Sequence, residues 1–95
     1  MNENLIKKIL AHYGIQNQKK KAIEEMSELI VVMCKTTDVP SCDPKLPQLM
    51  DNLIEEIADV MIMMEQLRLF YGQNEVDKMI EYKLNRQIKR IEAGV

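Results

Sequence analysis

An all-α, four-helix bundle-like subunit is the fold this sequence predicts, and three observations predict it. Apolar residues recur at spacings of three and four along four separate segments, the signature of helices with one greasy face. The chain holds only three Gly and three Pro, too few for the many turns of a β-sandwich. It has no Trp and only 4 % aromatic residues, which also makes a stacking platform for single-stranded nucleic acid unattractive. At 95 residues the chain has room for one core, so a single domain spans 1–95. Hydrophobic residues at 46 % against 29 % charged place it among chains that fold.

The first helix covers about 3–13, where Leu5, Ile6, Ile9 and Leu10 share one side and Gly14 suits a helix end. The second carries Ala22, Ile23, Met26, Leu29, Ile30 and Met33 on one side, out to about Lys35. Asp38, Pro40, Ser41, Asp43 and Pro44 then read as a loop over 36–46. The third and longest helix starts near Pro47, a residue tolerated in a first turn, and runs to about Tyr71 before Gly72. Its main stripe is Leu49, Met50, Leu53, Ile57, Val60, Met64 and Leu67, and Ile54, Ala58, Met61, Ile62 and Met63 lie outside that stripe. Such a helix is too apolar for one neighbour to cover, which predicts an oligomer, a homodimer or dimer of dimers, with this helix at the subunit interface. The fourth helix, about 74–92, presents Val76, Ile80, Leu84, Ile88 and Ile91 on one side and polar residues elsewhere.

Thirteen basic and fifteen acidic residues give a formal charge of -2, so no global field draws in a nucleic acid polymer or an anionic bilayer. The run Lys19, Lys20, Lys21 reads as a solvated face. The longest apolar stretch, 57–64, is broken by Asp59 and far too short to cross a membrane. Charges close to Met1 leave no signal-peptide core, and Cys34 and Cys42 have no metal-ligand spacing, so a cytoplasmic protein with two reduced thiols is expected.

Chemistry enters through acids. Glu24, Glu25 and Glu28 in the second helix are echoed by Glu55, Glu56 and Asp59 in the third: two adjacent acids, then another three residues on. At 100° per residue, Glu25 and Glu28 border one apolar stripe while Glu56 and Asp59 border the other. Antiparallel packing through those stripes brings four carboxylates to one seam. Such a cluster repels itself and raises its own pKa values unless a cation sits there. Oxygen donors without His or Cys select Mg²⁺, or Mn²⁺, over zinc, and Mg²⁺ shares its coordination shell with phosphates. On one helix alone these acids would read as surface charges in pairs such as Lys21 with Glu25.

In the fourth helix Lys83, Arg86 and Arg90 form a basic stripe beside the apolar face, with Asn85 near it, suited to holding the far side of a polyphosphate. Arg90 equally complements the helix dipole. His12 and Tyr13, with Phe70, Tyr71 and Tyr82, are the ring candidates for a nucleobase, and the eight Met read as adaptable packing.

The pattern Glu25-x-x-Glu28 and Glu56-x-x-Asp59, set as KAIEEMSELI and LIEEIADVMIMM in two helices, resembles the MazG-like nucleoside triphosphate pyrophosphohydrolases of the all-α NTP pyrophosphatase superfamily, over about 3–90. The resemblance implies Mg²⁺ held by Glu25, Glu28, Glu56 and Asp59, and hydrolysis of a (d)NTP between its α and β phosphates to a monophosphate and pyrophosphate. The segment YKLNR, with Lys83, Asn85 and Arg86, resembles the family's basic and amide residues after the second acidic helix. On this reading Lys83 and Arg86 neutralise the leaving pyrophosphate, Asn85 and His12 contact the nucleotide, and Glu24 is the candidate general base. Two alternatives remain: the phosphoribosyl-ATP pyrophosphohydrolase of histidine biosynthesis, whose usual N-terminal tyrosine-threonine segment is absent here, and a non-catalytic helical dimerisation module.

Overall fold

The computed structural model describes residues 1–94. It is built from four helices, α1 (Glu3–Tyr13), α2 (Ile15–Thr36), α3 (Leu46–Tyr71) and α4 (Gln73–Glu92), with no strand among the described residues. The all-α expectation and the positions of the loop and the long third helix hold. No helix is long and apolar enough to cross a membrane among the described residues.

Local chemistry sets the boundaries. Asn2 Oδ1 accepts the Leu5 backbone N–H at 3.2 Å, capping α1. Gly14, at φ 83°, donates to the Leu10 carbonyl and accepts from the Gln18 N–H at 3.0 Å, so one residue closes α1 and opens α2. Gly72, at φ 143°, does the same between α3 and α4: its N–H reaches the Arg68 carbonyl and its carbonyl accepts from the Val76 N–H. In the loop 37–45, Asp43 Oδ1 accepts the Lys45 N–H at 2.8 Å.

Helices α2 and α3 form the main packed pair, with α1 laid against both. Gln18 meets Gln66, while Glu25, further along α2, meets Glu56 and Asp59, earlier in α3. The two helices are therefore antiparallel. The buried face of α2 is Gln18, Ala22 and Glu25, and that of α3 includes Met63 and Gln66, each at spacings of three or four.

The apolar stripes expected from sequence hold in part: Ala22 is buried and Met26 and Leu29 are half-buried on α2, and Leu49, Leu53, Val60, Met64 and Leu67 are half-buried on α3. Ile23, Ile30 and Met33 on α2 are exposed, and Ile57 on α3 is 41 % exposed. Met63, expected outside the main stripe, is buried instead. The α2–α3 seam takes in Gln18, Glu25 and Gln66 beside the covered apolar side chains, and other apolar residues of both helices point outward.

Helix α4 does not close a bundle. It packs on α3 alone, against neither α1 nor α2, and none of its residues is buried. Arg68 links it to α3: its Nε and Nη2 each donate to Asp77 at 2.7 Å while Nη1 donates to Glu65 at 2.7 Å. Asp77 is held below the usual carboxylate range by these hydrogen bonds from Arg68. With α4 projecting, the radius of gyration is 16.9 Å, against about 12 Å for a compact chain of this length.

Candidate metal centre

The acids converge because α2 and α3 present them at matching heights on the seam. Carboxylate oxygens of Glu25, Glu56 and Asp59 all lie within 4.8 Å of one another. Glu25 is 8 % exposed, Glu56 is half-buried and Asp59 faces solvent. One oxygen of Glu25 and one of Glu56, Oε2 in each, is buried without a hydrogen-bond partner. A buried carboxylate oxygen with no donor is a costly arrangement that a protein keeps for a reason. The only side-chain cation bonded to the cluster among the described residues is Lys21, whose Nζ lies 3.1 Å from Glu25 Oε1 and 3.7 Å from Glu24 Oε2. One ammonium does not balance three clustered carboxylates.

Glu56 records the imbalance. Its carboxyl is pushed above the usual glutamate range, first by desolvation and then by the charges of Glu28, Asp59, Glu25 and Glu55. Lys21 moves the opposite way to a buried lysine: its hydrogen bond to Glu25 and the neighbouring acids raise it.

Of the four expected ligands, three are brought together. Glu28 is exposed and outside the 4.8 Å group, though its charge is felt at Glu56. Glu24 is exposed one residue from Glu25 and shares Lys21 with it. The fit to a divalent cation is good: oxygen donors only, two of them buried and unsatisfied, one open side toward Asp59.

The residues of α4 are elsewhere within the chain. Lys83, Asn85 and Arg86 are exposed on a helix that does not touch α2, so they do not lean over their own chain's acids as a closed bundle would require. Arg86 lies over the Tyr82 ring at 5.6 Å. His12, in the last turn of α1, is exposed and edge-on to Tyr13, with ring centroids 4.7 Å apart.

Beside the acids the structure adds residues that the apolar pattern conceals. A groove of about 440 Å³ is lined by Tyr13, Asn17, Gln18, Lys21, Met63 and Gln66, among others. Lys21 joins it to the acids. At its floor Gln18 Nε2 donates to Gln66 Oε1 at 2.8 Å, and Gln66 Nε2 contacts Met63 Sδ at 3.7 Å. The signal in the sequence is a single amide, Gln66, within the apolar second half of α3.

The chain matches no family model, no curated protein and no solved structure.

Proposed function

We propose that this protein is a Mg²⁺-dependent nucleotide pyrophosphohydrolase, converting a (d)NTP and water to (d)NMP and pyrophosphate. The observation that carries the reading is the pair of buried, unpartnered Oε2 atoms of Glu25 and Glu56, contributed by two helices and completed by Asp59. Glu25, Glu56 and Asp59 would hold the cation, with Glu28 at its edge. Bound there, Mg²⁺ would polarise the α-phosphate and supply an activated water. Glu24, exposed one residue from Glu25, would be the general base, and Lys21, bonded to Glu25, bridges the acids to the groove. The groove, with Tyr13 and Asn17 at its rim and the Gln18–Gln66 amides at its floor, has the size and polarity for a nucleoside. The MazG-like pattern in the sequence agrees with this assignment.

The exposed apolar surfaces of α3 and α4 favour a second reading, a helical dimerisation module without catalysis. Pyrophosphate release from a panel of nucleoside triphosphates, with and without Mg²⁺, separates the two. The enzyme reading predicts Mg²⁺-dependent release that Glu56→Ala abolishes. No release from any nucleotide overturns it.

A further inference from the structure

Gln18 and Gln66 are both buried in a face they share with Ala22 and Met63. A primary amide has two ends of opposite character, an oxygen that only accepts and a nitrogen that only donates. Which end points where decides what the groove offers a ligand.

Met63 fixes that direction. A thioether sulfur accepts and does not donate, so the end of Gln66 that meets Met63 Sδ at 3.7 Å is its nitrogen. Gln66 Oε1 is then turned to Gln18, which answers with Nε2 at 2.8 Å. The chain of amides leaves one atom over, Gln18 Oε1, which has no donor among the described residues. It is not sealed in, because the buried side-chain oxygens without a partner among the described residues belong to Glu25 and Glu56. Gln18 keeps 6 % of its surface exposed and lines the groove, whereas Gln66 is fully buried with both amide atoms engaged.

The open polar atom at the groove floor is therefore an acceptor. Other polar groups of the lining are committed: Asn17 Nδ2 donates to the Tyr13 carbonyl at 2.9 Å, and Lys21 Nζ is held by Glu25 at 3.1 Å. Distance ties the acceptor to the acids. Gln18 stands seven residues, about 10 Å along α2, from Glu25, and Gln66 stands the same interval from Asp59 on α3. A nucleotide whose α-phosphate is held at the acids brings its sugar and base toward the amides. An acceptor there favours a base that offers an N–H at that corner. It rejects one that offers a carbonyl oxygen, because two acceptors then face each other and both go unpaired.

We propose that the groove selects nucleotides whose base carries an exocyclic amine, cytosine or adenine, over their keto counterparts. Gln18 Oε1 accepts from the amine, and Met63 is a positioning residue that sets the direction of this acceptor through Gln66. The inference deepens the nucleotide reading and rests on it.

The test uses full-length protein and two pairs of substrates of matched shape, dCTP with dUTP and dATP with dITP, in which an amine is exchanged for a carbonyl. With Mg²⁺ present, kcat/KM should favour the amine in every pair that is hydrolysed, by roughly ten- to hundredfold. Gln18→Met removes the acceptor and should bring the ratios close to one. Met63→Leu conserves volume but frees the Gln66 amide to turn over, so it too should collapse the ratios, in protein whose helicity is checked by circular dichroism. A filler of the core alone would not change a ratio between bases. Hydrolysis without preference for the amine, or a preference that survives Gln18→Met, overturns the proposal and leaves the nucleotide reading standing. A preference that only Met63→Leu leaves intact overturns the part given to Met63. A second arm measures binding of the α,β-methylene analogues of dCTP and dUTP by calorimetry. If no triphosphate is hydrolysed, tighter binding of the dCTP analogue that Gln18→Met erases refutes the hydrolase and keeps the selective groove. Equal binding, or none, overturns the groove as well.

Discussion

Glu25 and Glu56 face each other across the α2–α3 seam, each with its Oε2 buried and unbonded, and both share a 4.8 Å cluster with Asp59. The pair is repulsive as it stands, and Lys21 reaches only the other oxygen of Glu25. A cation that satisfies both orphaned oxygens should therefore stabilise the fold and not merely decorate it. A ligand at ten times its Kd contributes about 1.4 kcal/mol, and 1 kcal/mol moves the Tm of a chain this small by about 4–8 °C. Saturating Mg²⁺ should raise the Tm by roughly 5–10 °C at neutral pH. Calorimetric scans with and without Mg²⁺ check this, and Ca²⁺ or Mn²⁺ scans report the site's preference. Glu56→Gln should melt higher than wild type in chelator and lose the response to Mg²⁺.

The pH dependence follows from the raised carboxyl of Glu56. A group whose pKa is higher in the folded state stabilises the fold below its unfolded pKa, and that contribution disappears as pH rises through the folded value. Without metal, stability should therefore fall as pH climbs from the ordinary glutamate range through the raised value of Glu56. The gain on adding Mg²⁺ should grow over the same window, because the cation needs the ionised carboxylate. Urea titrations in chelator and in Mg²⁺ across this range should diverge in opposite directions. Glu56→Gln should remove most of both slopes.

The amide pair at the groove floor holds α2 to α3. Gln66 is fully buried and Gln18 is 6 % exposed, so replacing one by Leu strands the other amide, at about 1–3 kcal/mol. Gln18→Leu/Gln66→Leu should cost less than the sum of the two single changes, because no orphan is left. Urea midpoints of the three variants measure the coupling. If the groove holds the base, Gln18→Leu should raise KM for the nucleotide with little change in kcat.

Much of this was legible from periodicity and punctuation. Gly14 and Gly72 mark helix ends where their positive φ is needed, and the paired acids pointed to a carboxylate cluster, of which Glu25, Glu56 and Asp59 come together and Glu28 does not. The α2 start was harder: 15–21 is almost wholly polar, yet Gln18 is a core residue because Gln66 answers it across the seam. A hydrophobic pattern cannot report a buried amide whose partner lies 48 residues away. The same limit divided the α2 stripe. Ile23, Ile30 and Met33 looked like the inward side of α2, but the packed register is Gln18, Ala22 and Glu25. In one chain Ile23, Ile30 and Met33 are left exposed while Ala22, Met26 and Leu29 of the same stripe are covered, because a periodicity says which side of a helix is apolar without saying how much of it a neighbour covers.

The junction at Gly72 gives a local test. An added Cβ there would meet the Glu75 carboxylate, whose flexible end can move, but the φ of 143° is strained for any L side chain. Gly72→Ala should destabilise the chain by about 1–3 kcal/mol through the backbone term. Gly72→Ala combined with Glu75→Ala relieves the contact and not the dihedral, so its urea midpoint should recover little.

Arg68 and Asp77 form the one two-pronged ion pair between α3 and α4 among the described residues, and the angle of α4 should depend on it. Because Asp77 is held below its ordinary pKa, its contribution is present above the unfolded value and is lost only as pH falls through the lowered folded value. The pair should thus hold throughout the neutral range and fail in acid. Asp77→Asn keeps the shape, removes the charge and leaves Arg68 with Glu65 alone, which sits in the preceding turn of α3 and says nothing about α4. The arm should then sample other directions. If its apolar side is covered by a second copy, the dimer dissociation constant measured by sedimentation should rise, while the α2–α3 helical signal persists on dilution. Reversing the pair, Arg68→Asp with Asp77→Arg, should restore dimerisation only in part, because Asp at 68 would stand beside Glu65 and repel it. Adding Glu65→Gln to the reversed pair removes that repulsion and should bring the dissociation constant back toward wild type. An unchanged dissociation constant in Asp77→Asn would mean that the direction of α4 is set by its apolar contacts and that the ion pair is a passenger on the surface.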